Sequence, residues 1–137
     1  MTDEVRAAAE RFVSPKTAIY LYRTGARNPD GLNPDAWTND AAGIADPDSR
    51  RTMIDLTVDS RNNRASYPAF QAYLSDKQPR TLVVWGKNDP VFGPAAAEKI
   101  GSFVPGTKIV FYDTGHFALE EQASAIGQEI VRTFGAR

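Results

Sequence analysis

The apolar positions of the last third of the chain indicate two strands and two helices in alternation. One apolar run, Thr81 to Trp85, lies between Pro79 and Gly86, which is typical of a strand covered on both faces. A second buried strand is predicted from Lys108 to Tyr112. Helical spacing follows each run, at Ala96, Ile100 and Phe103 and then at Leu119, Ala123, Ile126, Ile130 and Phe134. This order predicts two parallel strands joined by a right-handed crossover.

The first part of the chain has a less regular pattern. Residues 3–12 are rich in Ala, Glu and Arg and predict a short helix that ends at Ser14 and Pro15. Residues 16–23 favour a strand by propensity, although a packed helix fits them as well. Three Gly and three Pro between residues 25 and 48 indicate a long surface connection, with room for a turn of helix around residues 36–42.

Two amphipathic helices are predicted before the strands. Asp46 and Pro47 supply a cap and a first-turn proline, so that a helix is expected from about Asp48 to Asp59. A second helical pattern begins at Tyr67 and ends before Gln78 and Pro79.

Composition excludes several classes of protein. The 137 residues carry 16 Lys and Arg against 17 Asp and Glu, balanced in both halves, which argues against nucleic acid as a partner. The wholly apolar strings, about four residues long, are far too short for a membrane span. With no cysteine and one histidine, neither a metal site nor another cofactor is expected. The acidic start from Met1 lacks the features of a secretory signal, so the default expectation is a cytoplasmic protein.

The candidate chemistry lies just after the two predicted strands. Asp89 follows the first strand and His116 follows the second, and the carboxyl ends of parallel strands meet at one edge of a sheet. A carboxylate there could fix the imidazole tautomer, so that the other ring nitrogen serves as a general base. Turn, capping and packing roles are the alternatives, and Asp113, three residues before His116, is a second candidate acid.

Four strings carry a resemblance to a known family. QPRTLVVWGKNDP, which contains Asp89, and DTGHFALEE, which contains His116, resemble the C-terminal part of α/β-hydrolase-fold enzymes, in particular those related to epoxide hydrolases and haloalkane dehalogenases. NPDAWTNDAAG, from residue 33, and YPAFQAYL, from residue 67, resemble the helical cap and the helix returning from it.

The resemblance implies a division of the chain and roles for several residues. It implies an α/β fold that is the C-terminal part of an α/β-hydrolase, with a helical cap-like segment and return helix in residues 1–78 and a βαβα part of the core in residues 79–137. It also implies that Asp89 and His116 are the acid and the histidine of a catalytic triad. The cap aromatics Trp37, Tyr67 and Phe70 are candidates to line a pocket for a small apolar substrate, with core packing as the alternative.

The first member of such a triad has no counterpart in this sequence. No Gly-X-Ser-X-Gly or Gly-X-Asp-X-Gly string occurs, and no His-Gly oxyanion loop is present. We therefore expect a truncated hydrolase that is inactive alone and lacks the family's N-terminal half, with the nucleophile, Asp or Ser, and the substrate class, ester, epoxide or haloalkane, left open. The alternatives are a non-catalytic module that pairs with another chain or with itself as a homo-oligomer, and a binding domain that uses the cap helices alone.

Overall fold

The computed structural model describes residues 3–135; Met1 and Thr2 of the acidic start lie outside this range, as do residues 136 and 137. In the described residues, the elements before the first strand are all helices, and strands and helices alternate from there on. Within residues 3–135, no helix is both long and apolar enough to cross a membrane. The elements are α1 (Asp3–Phe12), α2 (Pro15–Arg23), α3 (Asp35–Ala45), α4 (Pro47–Asp59), a 3-10 helix (Ser60–Ala65), α5 (Tyr67–Lys77), β1 (Leu82–Gly86), α6 (Pro94–Phe103), β2 (Lys108–Tyr112) and α7 (Ala118–Phe134).

The chain forms two compact units that are not continuous in sequence. The first contains the described residues up to 20 together with residues 33–69, and the second contains residues 21–32 together with residues 70–135. These units are defined by contacts within the folded chain. The division at residue 78 into a cap-like segment and a core part stays a prediction.

The first unit is built around α1, α3 and α4. Its core consists of Ala9 and Val13 from the first part of the chain, packed against Ile54 and Val58 of α4. Helix α4 begins where the sequence predicts it, because the Asp46 carboxylate accepts the backbone N–H of a residue three positions later at 2.8 Å. Helix α3 is longer than the single turn that was expected, running from residue 35 to residue 45.

Residues 15–23, for which a strand and a helix were both open, form helix α2. Pro15 stands at the start, where its fixed φ suits a helix and its missing N–H costs nothing. The Ser14 hydroxyl accepts the N–H of Thr17 at 3.1 Å, as an N-cap does, and Ala18 is buried. The capping chemistry before the segment therefore outweighs the strand propensity of its aromatic and branched residues.

The second unit contains the two-stranded parallel sheet. The strands pair in register from Leu82 opposite Lys108 to Gly86 opposite Tyr112, as the crossover rule predicts. Ile109 lies against Gly101 of α6, whereas its neighbour Lys108 forms an ion pair with Glu129 of α7. Because successive strand residues point to opposite faces, α6 and α7 cover opposite faces of the sheet.

The burial of the strands is lower than the apolar runs predict. In β1 only Val83 and Gly86 are buried, and no residue of β2 is buried; the side chain of Phe111 is 39% exposed. The expectation of two buried strands is therefore wrong for β2. The physical reason is that each strand is covered by one helix on each face and by a single neighbouring strand, so part of each strand stays accessible to solvent.

Candidate active site

The loops after β1 and β2 are joined to each other by backbone hydrogen bonds. The N–H of Lys87 donates to the carbonyl oxygen of Tyr112 at 2.9 Å, and the N–H of Asn88 donates to that of Thr114 at 3.1 Å. The pairing of the strands thus continues for two residues into the loops. It brings the carboxylate that follows β1 beside the histidine that follows β2.

Asp89 and His116 meet in this position. Nδ1 of His116 lies 3.0 Å from Oδ2 of Asp89, and the Asp89 side chain is only 6% exposed, against 25% for the imidazole. The second carboxylate oxygen, Oδ1, accepts the backbone N–H groups of Val91 at 2.7 Å and Phe92 at 3.0 Å. Both carboxylate oxygens of Asp89 therefore have hydrogen-bond partners: two backbone N–H groups at Oδ1 and the imidazole ring at Oδ2.

These hydrogen bonds favour the ionised form of Asp89. Burial alone would raise the pKa of the carboxyl, but the N–H of Phe92, the His116 ring and the N–H of Val91 outweigh burial and lower the pKa below its usual value. An ionised carboxylate can only accept, so the neutral imidazole carries its proton on Nδ1. The lone pair is then on Nε2, the nitrogen that a general base uses.

Two aromatic rings lie beside the imidazole, and a third stacks on one of these two. The centroid of Phe92 lies 5.9 Å from that of His116, and Phe117 meets the imidazole edge-on at 5.0 Å. Tyr22, from α2, stacks on Phe117 at 4.0 Å. The carbonyl oxygen of Phe92 accepts the indole N–H of Trp85 at 2.8 Å, so the backbone of Phe92 is fixed at both its N–H and its C=O.

Asp113, the second candidate acid, has other partners. Its Oδ1 accepts the side-chain amide of Asn88 at 3.0 Å and lies 3.1 Å from the Lys87 ammonium. The Asn88 amide and the Lys87 ammonium lower the pKa of Asp113. The Asn88 amide also donates to the carbonyl oxygen of Gly25 at 3.0 Å. Asp113 therefore links the two loops, and Asp89 is the carboxylate that contacts His116.

A third carboxylate, Glu121 of α7, lies beside the histidine loop, residues 113–117. It accepts the hydroxyl of Thr114 at 2.6 Å and the backbone N–H groups of Arg27 at 3.0 Å and Asn28 at 2.8 Å. Burial would raise the pKa of Glu121, but these three donors outweigh it and lower the pKa. Thr114 is almost completely buried, at 1% exposure.

The three candidate substrate-binding aromatics are divided between the units. Trp37, in α3, is half-buried, and Tyr67, the first residue of α5, is 49% exposed; both belong to the first unit. Phe70, also in α5, is 57% exposed and belongs to the second unit. Their role as pocket residues stays a prediction.

A serine nucleophile of this fold stands on a sharp turn between a strand and a helix, whereas four serines of this chain lie within a helix or directly after one. Ser60 donates its hydroxyl to the carbonyl oxygen of Thr57, and Ser102 of α6 donates to that of Lys99, both at 2.7 Å. Ser66 follows the 3-10 helix and Ser124 lies within α7. Among residues 3–135, none of these four serines stands on a sharp turn between a strand and a helix.

Sequence reasoning did not identify the residues that support the pair. Phe92, Phe117, Thr114 and Glu121 lie inside or next to the strings that suggested the pair, but no spacing rule distinguishes them. The contact of Glu121 with Arg27 joins residues 94 positions apart, which no local pattern reveals.

The chain is similar to known hydrolases. The family model described as alpha/beta hydrolase fold matches residues 3–123. An uncharacterized hydrolase of Saccharomyces cerevisiae is 40% identical over 120 residues, which are 88% of this chain and 41% of that protein. A 2-hydroxy-6-oxononadienedioate/2-hydroxy-6-oxononatrienedioate hydrolase of Escherichia coli K12 is 35% identical over 91 residues, 65% of this chain and 31% of that protein. The chain thus spans less than half the length of these relatives.

Proposed function

Because this chain belongs to the α/β-hydrolase fold family, we propose that it is the C-terminal portion of a capped hydrolase and carries two members of a catalytic triad. Asp89 is the acid of this triad and His116 is its base. The observation that carries the proposal is the 3.0 Å contact between Nδ1 of His116 and a carboxylate whose other oxygen is held by two backbone N–H groups.

The nucleophile of the proposed enzyme lies outside these 137 residues, on a segment that carries the family's nucleophile elbow. An Asp there forms an alkyl ester with the substrate, either by displacing halide from a haloalkane or by opening the C–O bond of an epoxide, whose oxygen then takes a proton from water. A Ser there forms an acyl ester, and its proton passes through His116 to the alcohol that leaves. Nε2 of His116 takes a proton from water as the water oxygen attacks the carbonyl carbon of either ester. Asp89 stabilises the imidazolium that results, and collapse of the tetrahedral intermediate returns the proton to the leaving oxygen and regenerates the nucleophile.

The surroundings of the imidazole favour an apolar substrate. The rings of Phe92 and Phe117 lie beside His116, and more than half of the Phe92 side chain is exposed. We propose small esters, epoxides or haloalkanes as substrates. That Trp37, Tyr67 and Phe70 contact such a substrate stays a prediction. The Escherichia coli relative is named as a hydrolase of 2-hydroxy-6-oxononadienedioate, which makes a dioate of that kind a further substrate to assay.

A chimera tests the proposed triad. The part of the Saccharomyces cerevisiae hydrolase that this chain does not match is fused before it, and hydrolysis of an activated ester, an epoxide and a haloalkane is measured. Turnover of at least one substrate is expected. His116→Ala and Asp89→Asn should each lower kcat by about a thousandfold or more, because triad members act as a unit.

Asp113→Asn is the matched control, since Asp113 is the other carboxylate of these loops and its hydrogen-bond and ion-pair partners are Asn88 and Lys87 rather than the imidazole. We expect this variant to keep its activity within about threefold, because Asn retains a hydrogen-bonding oxygen. A chimera that is active and insensitive to both Asp89→Asn and His116→Ala contradicts the proposal.

Exposed surface in the second unit favours a second candidate function, a module that pairs with another chain. Within residues 3–135, β1 hydrogen-bonds only to β2, so its other edge has no strand partner. Helix α7 has an apolar face formed by Leu119, Ile130, Val131 and Phe134, each between 46% and 68% exposed. A strand edge without a partner and an exposed apolar helix face are both sites of association. The oligomeric state of the chain tests this function.

A further inference from the structure

The histidine loop, residues 113–117, is packed between two other stretches of backbone. A Cβ placed on Gly115 would lie 2.3 Å from the carbonyl oxygen of Thr24. On the other side, a Cβ on Gly86 would lie 2.0 Å from the carbonyl oxygen of Gly115. The position of the loop therefore depends on the segment 24–28 as well as on β1.

One carboxylate fastens this segment to the loop. Oε2 of Glu121 accepts both the hydroxyl of Thr114 and the N–H of Arg27, and Oε1 accepts the N–H of Asn28. Hydrogen bonds to an ionised acceptor are about twice as strong as neutral ones. Since Thr114 is buried and precedes His116 by two residues, its side chain anchors the backbone that carries the imidazole.

We propose that Thr114 and Glu121 are positioning residues for His116. They hold the histidine loop against the segment 24–28, so that Nδ1 of the imidazole stays directed at Asp89. Neither side chain hydrogen-bonds to the ring. The inference rests on the proposed role of the Asp89 and His116 pair and adds the groups that keep this pair aligned.

The test uses the fact that His116 is the only histidine of the chain. In the 137-residue protein labelled with nitrogen-15, the two ring nitrogens give signals that belong to one residue and report its tautomer. We expect the wild-type ring to carry its proton mainly on Nδ1 at a pH at which the imidazole is neutral. In Thr114→Val and Glu121→Gln, the ring should shift towards the Nε2-protonated form that a free imidazole favours.

The two variants perturb the anchor in different ways. Thr114→Val removes a hydroxyl and leaves every charge in place, whereas Glu121→Gln removes a charge and leaves the shape. In both variants, exchange of the Nδ1 proton with water should accelerate about fivefold. The reason is that the loss of one net hydrogen bond makes local opening of the histidine loop more favourable. Thr114→Ser, which keeps the hydroxyl, should restore the wild-type signals. Glu120→Gln is the matched control, because Glu120 is an exposed neighbour on the same helix.

Two failures can be told apart by including Asp89→Asn. If Asp89→Asn leaves the tautomer unchanged, the proposed pair is wrong. If Asp89→Asn shifts the tautomer while Thr114→Val and Glu121→Gln do not, the pair stands and the positioning role is wrong. Backbone amide spectra establish that each variant is folded; should Thr114→Val not fold, Glu121→Gln decides the question.

Discussion

The α-carbon of Gly86 lies so close to Gly115 that a Cβ on it would approach the Gly115 carbonyl oxygen to 2.0 Å. Gly86 is the last residue of β1, and Gly115 directly precedes His116. A methyl group at position 86 cannot be accommodated at that distance without moving backbone. The end of the strand that precedes Asp89 and the loop that carries His116 are thus in direct main-chain contact.

Gly86→Ala should therefore displace the histidine loop and destabilise the second unit. We expect a loss of about 1 to 3 kcal/mol in the free energy of unfolding, as for other overpacked sites. The measurement is urea unfolding followed by the amide signals of β1 and β2. Gly127→Ala is the control: a Cβ there meets nothing within 4 Å, and alanine within α7 should be neutral or stabilising by up to about 1 kcal/mol. Equal stability of Gly86→Ala and Gly127→Ala would contradict the close packing.

The low pKa of Asp89 predicts how stability depends on pH. Because the folded state lowers this pKa, the stabilisation from Asp89 is complete above the unfolded value of about 3.9 and is lost as the pH falls through the folded value. The wild-type protein should exceed Asp89→Asn in the free energy of unfolding by about 1 to 2 kcal/mol at pH 5.

That difference should narrow as the pH falls below the unfolded pKa of about 3.9 and through the lower folded pKa. Glu121 and Glu129 also have lowered pKa values and lose stabilisation over the same range, but they do so in both proteins, so the comparison isolates Asp89. Urea unfolding at a series of pH values measures it. A difference that stays constant or widens on acidification would show that the Asp89 pKa is not lowered.

The 137-residue chain alone should be catalytically silent. Its sequence contains neither nucleophile-elbow string, and an acid and a base cannot replace the nucleophile and oxyanion donors. With an activated ester or an epoxide, the purified chain should react no faster than its His116→Ala variant. Turnover that disappears in that variant would reveal a nucleophile within these residues.

The isolated chain should self-associate. Within residues 3–135 one edge of β1 has no strand partner, and the apolar face of α7 is exposed. Pairing between two copies would satisfy strand N–H and C=O groups and cover apolar surface. Light scattering on the eluting protein is expected to give a dimer or a larger species. A monodisperse monomer with a cooperative melting transition would contradict this.

Charged substitutions on the apolar face of α7 test whether this face takes part in the self-association. Val131→Lys and Leu119→Lys replace side chains that are 68% and 63% exposed, so they should cost little stability and shift the protein towards monomer. Gln71→Lys adds the same charge at an exposed position on α5 and should leave the association unchanged.

Much of the fold was predictable because it depends on interactions within a few residues. The cap at Asp46 and Pro47 predicted the start of α4, and the apolar runs predicted the parallel strands to within a residue or two. Asp89 and His116 were identifiable for the same reason. Each follows a recognisable strand, and parallel strands end at one edge of a sheet.

The tertiary structure decided the features that depend on distant parts of the chain. It left β2 partly exposed although its sequence is apolar, because burial depends on how many other elements cover a strand. It placed residues 21–32 in the unit that contains the sheet, where Asn28 bonds to a carboxylate 93 residues away. The loop that carries His116 is held by residues 24–28 as well as by residues from the last third of the chain. Local patterns encode helices, strands and turns, whereas contacts of that separation exist only once the backbone has folded.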